Sequence, residues 1–181
     1  IVCSIGNRFH KIECAIDNVK EEGFRKFYMM DRTGGASGSS SLLKPTVEHP
    51  HFIEEEIEVP VTSLEMILDN IDWKRFPYIE QIKTDCEGKD FDVVKSIGKY
   101  LQRIVFITSE MSHNLPYWEG TKSHNEFVQF MRAQGFSVRG YGAGEIHLIN
   151  NNLKYLVESA GLVCNTLTLE ENPYQDILEG Y

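Results

Sequence analysis

The stretch from Tyr78 to Leu101, YIEQIKTDCEGKDFDVVKSIGKYL, constrains the fold more than any other part of the chain. Ile79 and Ile82 lie in a short apolar run that ends in Lys83, Thr84, Asp85, Cys86, Glu87 and Gly88. Beyond that turn, Phe91, Val94, Ile97 and Leu101 recur at three- and four-residue spacing, which marks one apolar face of a helix. A buried strand, a tight polar turn and an amphipathic helix form the repeating unit of α/β sheets. In open sheets of that kind, ligands sit just past the carboxyl ends of the strands. Lys83 and Asp85 share one face of the strand, and Glu87 falls at a helix start, where the helix dipole favours a carboxylate or a bound anion. Two readings of these residues stand. They line a ligand site, or Asp85 and Glu87 only cap the helix while Lys83 snorkels along the surface.

Size and charge narrow the function classes. A chain of 181 residues with 41% hydrophobic content can bury one sizeable core. A net charge of −9 argues against a nucleic-acid surface, which needs clustered Lys and Arg. The acidic excess gathers at Glu54, Glu55, Glu56 and Glu58 and in the tail from Glu170, as solvated faces do. Cys3, Cys14, Cys86 and Cys164 form no CxxC pair and have no matching His spacing, so no metal motif is expected. Scattered cysteines in a chain with a core of this size fit a reducing cytoplasm better than a disulfide framework. No apolar stretch reaches the roughly 18 residues of a membrane span, and no signal-peptide pattern opens the chain. It begins at Ile1 without Met and reads as a piece of a longer protein.

Before the central unit, Lys11 to Ile16 alternates as a strand, and Asp17 and Asn18 break it. Arg25 to Met30 reads as a second strand, followed by the loop DRTGGASGSSS. Its glycines match neither a P-loop nor a dinucleotide fingerprint, so a surface loop or lid is expected. His49 and His51 lie two residues apart with no local carboxylate or thiol to complete a metal site. Ile57, Val59 and Val61 alternate with Glu56, Glu58 and Pro60, and Pro60 suits an edge strand because it cannot donate to a ladder. Thr62 or Ser63 then caps a helix whose Leu64, Ile67, Leu68 and Ile71 face inward.

After the central unit, Arg103 to Ser109 is a near-continuous apolar, β-branched run, the pattern of a strand buried on both faces. It ends in Glu110, at the same sheet edge as Asp85. His113, Tyr117, Trp118 and His124 follow in a polar, broken segment that can wall an acceptor site. A helix is expected over Asn125 to Gln134, then a hairpin of Phe136–Arg139 and Glu145–Ile149. The domain is expected to span residues 1–150, with a helical or irregular extension over 151–181.

The central stretch, with VPVTSLEMILDN before it and IVFITSEM after it, resembles the FkbM-type family of S-adenosylmethionine-dependent methyltransferases. The family pattern of a "tL-D" segment, a "K-D-EG-e--vL-G" turn and helix, and an apolar strand ending in Glu is met by Thr62, Leu64, Lys83, Asp85, Glu87, Gly88, Val94 and Glu110. Ser40, Ser41 and Leu42 match the family's "G-SSL" segment. The family's glycine-rich cofactor turn and its acidic residue after the second strand are not in this sequence, so the chain is expected to begin after both.

The resemblance implies an α/β fold of the Rossmann-like, class I methyltransferase type, mostly parallel, closed by an antiparallel hairpin and truncated at its N-terminus. It implies S-adenosyl-L-methionine as cofactor and a hydroxyl oxygen of a small-molecule or carbohydrate acceptor. It places Lys11–Ile16 as the third parallel strand, with Ala15, Ile16 and Asp17 under the cofactor's adenine. Asp85, also on the cofactor side, Lys83 and Glu87 become the candidate catalytic groups, and Glu110, His113 and Ser41 the acceptor side. The competing reading is a non-catalytic α/β binding domain. Nothing in the sequence fixes an oligomeric state.

Overall fold

The computed structural model describes residues 2–4, 10–31, 36–47, 49, 53–110, 117–142 and 144–161. β1 (Val2–Ser4) and β2 (His10–Ile12) form an antiparallel pair. β3 (Ala15–Ile16), β4 (Gly23–Met30) and β5 (Ile53–Thr62) form a second sheet in the order β3-β5-β4. The strand expected over 11–16 is therefore two strands with different partners. Period-two alternation runs through Glu13 and Cys14 unbroken, so it cannot report that the pairing changes there. Nor is β3 hydrogen-bonded into the sheet that carries the central unit. It runs parallel to β5, with Ala15 opposite Val61 and Ile16 opposite Thr62.

β5 is the middle strand, yet β3 reaches only its last two residues. Pro60 lies outside that short ladder, on a stretch paired with β4 alone among the described residues, so the edge character read from its missing N–H survives locally. Ser63 caps α1 (Leu64–Leu68) by accepting the Met66 amide at 3.3 Å. Two further α1 amides are satisfied across space, Leu64 N–H by Ser96 Oγ at 3.1 Å and Glu65 N–H by the Ser96 carbonyl at 2.8 Å. Free helix-start donors thus dock α1 onto the end of the central helix.

The central unit folds as β6 (Ile79–Thr84) and α2 (Asp90–Lys95). Val94, Ile97 and Leu101 are buried as their spacing requires, with Phe91 packed against them. The helix is shorter than that spacing suggests. Gly98, at φ +57°, interrupts it, and Gly98–Arg103 continues as a 3₁₀ helix that keeps Leu101 on the apolar face. β7 (Ile104–Glu110), α3 (His124–Ala133), β8 (Phe136–Gly142) and β9 (Glu145–Asn150) complete a sheet in the order β6-β7-β9-β8. Ser123 and Glu126 start α3 with a reciprocal capping box, one residue earlier than its apolar pattern indicates.

The expectation of a mostly parallel sheet is corrected to a mixed one. β6 pairs parallel with β7, whereas β9 pairs antiparallel with both β7 and β8. The hairpin turns β9 back between the two strands that precede it, so both of its ladders are antiparallel, while β6, β7 and β8 still point one way. The main core lies between this sheet and α2 and α3, around Ile104, Ile107, Phe127, Met131, Phe136, Ile146 and Leu148. A smaller cluster joins Val105 and Ile149 to Leu153 and to Val157 of α4 (Lys154–Ser159), so this part of the extension packs on the sheet. No helix among the described residues is long and apolar enough to cross a membrane.

Candidate active site

The parallel register of β6 and β7 builds the site. Lys83 lies opposite Thr108 and Thr84 opposite Ser109, so Asp85 and Glu110 leave the sheet side by side. A buried 2.8 Å hydrogen bond between Thr84 Oγ1 and Ser109 Oγ pins the two strand ends together. Carboxylate oxygens of Asp85, Glu87 and Glu110 all lie within 4.8 Å of one another. Carboxylates this close share a proton or an oxygen-seeking cation, because both cannot hold full charge cheaply. Burial raises the Glu110 carboxyl first, and hydrogen bonding to Asp85 with the charges of Asp85, Glu87 and Asp90 carries it to about 7. Burial also raises Glu87, opposed by a hydrogen bond from Trp118. The Cys86 thiol is pushed up to about 12 by burial and neighbouring acids, which leaves no thiolate nucleophile at neutral pH.

Lys83 reaches Glu145 Oε1 at 2.8 Å and Asp85 Oδ2 only at 3.6 Å. Glu145, from β9, is thus its principal partner, and both Lys83 contacts are solvent-screened. The turn that carries the acids is unusual in its backbone. Glu87 has φ +48° and Gly88 φ +88°, two successive left-handed residues. Ser41 holds that turn, donating its hydroxyl to the Glu87 carbonyl at 2.7 Å and accepting the Leu43 amide at 3.0 Å. Its side chain is buried and committed to backbone. Trp118, 2% exposed, packs against Met30, and His49 lies 4.6 Å from its indole ring. That polar, broken segment therefore contributes a core residue, Trp118. His124 is buried too, with Nε2 3.3 Å from the Tyr141 hydroxyl, and belongs to the packing of α3 rather than to an acceptor wall. His113 lies outside the described residues.

Two neighbours were not singled out from sequence. Asp90 is 3% exposed; its Oδ2 accepts the Cys86 amide at 3.3 Å and its Oδ1 has no hydrogen-bond partner among the described residues. Burial lifts its carboxyl to about 6, partly offset by Thr84 and the Cys86 amide. Its signal was present as the acidic position of the "EG-e" pattern. Lys89 bonds Asp17 Oδ1 at 2.7 Å and also pairs with Asp92. Through it the β3 exit, Ala15, Ile16 and Asp17, reaches the turn that carries Asp85 and Glu87. A hollow of about 460 Å³ lies next to that exit, bordered by Asn18, Ser63 and Ser96. A wider cleft of about 820 Å³, walled by Ile12, Cys14, Phe24 and Val61, lies off the acidic edge altogether.

The acidic groups converge at the carboxyl ends of two adjacent parallel strands, the edge at which open α/β sheets bind ligands. Residues 5–138 match the model of the methyltransferase FkbM domain, and the chain belongs to that family of methyltransferases. No curated protein and no solved structure matches the chain.

Proposed function

We propose that this chain transfers a methyl group from S-adenosyl-L-methionine to a hydroxyl oxygen of a small-molecule or carbohydrate acceptor. The observation that carries the reading is the meeting of Asp85 and Glu110 at one sheet edge, inside the segment matched by the family. The order β6-β7-β9-β8, with β9 alone reversed, supports a Rossmann-like methyltransferase sheet.

S-adenosyl-L-methionine supplies a methyl already activated on a sulfonium, so the protein must bind, align and remove one proton. The donor set fits such a ligand. An acidic edge suits a cationic centre, and Asp17, at the β3 exit with Ala15 and Ile16, offers a carboxylate for the adenine side. Asp85 borders the cofactor and takes the acceptor's proton, and Glu110 shares that proton and orients the acceptor hydroxyl. Glu87 adds negative charge behind them. Lys83 holds the Asp85 side of the edge through Glu145. Ser41 acts by fixing the Glu87 carbonyl and with it the turn that carries the acids.

Calorimetric titration of the full-length protein with S-adenosylhomocysteine tests the reading. Saturable one-site binding, with none for a dinucleotide, is expected. A folded protein that binds neither would leave a non-catalytic α/β binding domain.

Turnover should also rise with pH through about 7. Glu110 holds its proton below that value and releases it above, and the pair is the stronger base once Glu110 is ionised. A rate flat from pH 6 to 8 would separate the Asp85–Glu110 pair from catalysis.

A further inference from the structure

We propose that the end of the sheet opposite the acidic edge docks this protein on an anionic phospholipid bilayer, through Phe76, Tyr78, Tyr155 and the cations that flank them. The inference does not depend on the reaction proposed above. Half of the large hydrophobic side chains exposed among the described residues gather there: Phe76 is 52% exposed, Tyr78 39% and Tyr155 54%. Exposed apolar side chains scattered singly are ordinary, whereas a gathered patch marks an interaction surface. Their neighbours join them into one face. The Tyr78 and Tyr155 hydroxyls lie 3.3 Å apart. Arg103 donates to the Pro77 carbonyl at 3.3 Å, and its guanidinium lies 5.0 Å from the Trp73 ring, which stacks on Tyr100. Asp72 to Phe76 forms a single helical turn that carries Lys74 and Arg75, closed by the Phe76 amide on the Asp72 carbonyl at 2.9 Å. A turn already ordered in this way loses little freedom on docking.

Charge decides the partner. The chain carries −9, yet Lys74, Arg75 and Arg103 pair with no carboxylate among the described residues. Asp72, the acid of the turn, accepts the Lys74 and Arg75 amides at 3.2 and 3.3 Å, and Asp69 is held by Lys99 at 2.7 Å. Glu80 and Glu158 are exposed nearby in sequence, so the positive excess is small. Each Lys or Arg near an anionic leaflet strengthens binding about fivefold. A nucleic-acid surface needs a denser array of cations than this. A bilayer needs less, because Trp and Tyr settle at the headgroups while Lys and Arg reach the phosphates. Orientation fits the same partner. Tyr78 precedes β6 and Arg103 precedes β7, whereas Asp85 follows β6 and Glu110 ends β7. The six residues of β6, at about 3.3 Å each, hold the two ends about 20 Å apart. That exceeds two screening lengths of about 8 Å at physiological salt. A negative leaflet repels the acidic edge, and docking by the other end keeps that edge in water.

The test is co-sedimentation of the full-length protein with vesicles of phosphatidylcholine alone and of an equal mixture of phosphatidylcholine and phosphatidylserine. Binding to the mixed vesicles should be stronger by about 100-fold, three cations at about fivefold each, and should weaken as salt is raised. Phe76→Ser should lower it about tenfold, and the double variant Lys74→Gln/Arg75→Gln about 25-fold. Both should melt with wild type, because the replaced side chains are exposed. Phe76→Trp should keep the binding and shift tryptophan emission to shorter wavelength on mixed vesicles alone. Equal binding to the two kinds of vesicle would overturn the inference, as would binding that both the Phe76→Ser and the double variant leave intact. Capture by neither vesicle of a folded protein would overturn it too. Self-association without vesicles that Phe76→Ser abolishes, with no vesicle binding, would assign the face to a second copy of the chain instead.

Discussion

Asp85→Asn is expected to lower turnover by about 10²- to 10⁴-fold, the range of a lost general base, while S-adenosylhomocysteine affinity changes only a few-fold. The substitution is nearly isosteric and leaves the Thr84–Ser109 bond that pins the strand ends in place. It removes the group that accepts the acceptor's proton, and it also changes Glu110. Part of what raises Glu110 to about 7 is its hydrogen bond with Asp85 and the charge there. With that charge gone, burial and the charges of Glu87 and Asp90 remain, so the Glu110 carboxyl should titrate lower. The residual rate should therefore rise with pH over a lower range than in wild type. Rate measurements from pH 5 to 9, with parallel ligand titration, read both effects. Unchanged turnover would take Asp85 out of the mechanism and leave it as a cap on the strand end.

The parts of this site that sequence revealed are those encoded locally. The strand, turn and helix of residues 78–101 announce themselves through periodicity, and Ser63 through its place before an apolar run. The final hairpin is legible because a glycine-rich stretch separates two alternating runs, although β8 carries on past Arg139 through Gly142 where a turn was expected. What escaped depends on pairing between distant segments. Glu110 was expected at the same sheet edge as Asp85, but the approach of its carboxylate to within 4.8 Å of both Asp85 and Glu87 depends on the parallel register of β6 and β7. Lys89 reads as a solvated helix-start lysine until β3 brings Asp17 against it. Trp118 sits among polar residues, yet it is buried because the 41–46 loop folds over it, with the Glu119 amide bonded to the Lys44 carbonyl and the Thr46 amide to the Tyr117 carbonyl. Composition windows average such a residue with its neighbours and place it outside.

That loop explains why the turn tolerates its backbone. A non-glycine residue at positive φ, such as Glu87, costs energy that the surroundings must supply. Here the Ser41 hydroxyl on the Glu87 carbonyl and the Trp118 indole beside its carboxylate supply it from two segments outside the turn. Carboxylates raised by burial, an acid at Asp90 with one oxygen unpartnered among the described residues, and left-handed backbone all concentrate at this edge. Local rules are broken together at this edge, as at functional sites generally.

Gly88→Ala should therefore be among the most damaging single changes in the chain. Its φ of +88° carries a penalty of about 1–2 kcal/mol for any residue with a Cβ. The new methyl would also lie 2.7 Å from Thr121 Oγ1 and 2.9 Å from Trp118 Cδ1. Thr121 can rotate, but its hydroxyl is bonded to the Trp118 carbonyl, and the indole is wedged against Met30. Overpacking of that kind costs about 1–3 kcal/mol, for a combined loss of about 2–5 kcal/mol. In a chain of this size each kcal/mol lowers Tm by about 2–4 °C, so thermal melting should show a fall of about 4–20 °C. Displacing Trp118 also lifts the 41–46 loop, and with it the Ser41 hydroxyl that holds Glu87. Turnover measured well below the melting range should consequently fall as well, unlike in a substitution that is destabilising but remote. A variant that melts with wild type would mean that the 117–121 segment gives way freely and that the turn carries a Cβ at position 88 without penalty.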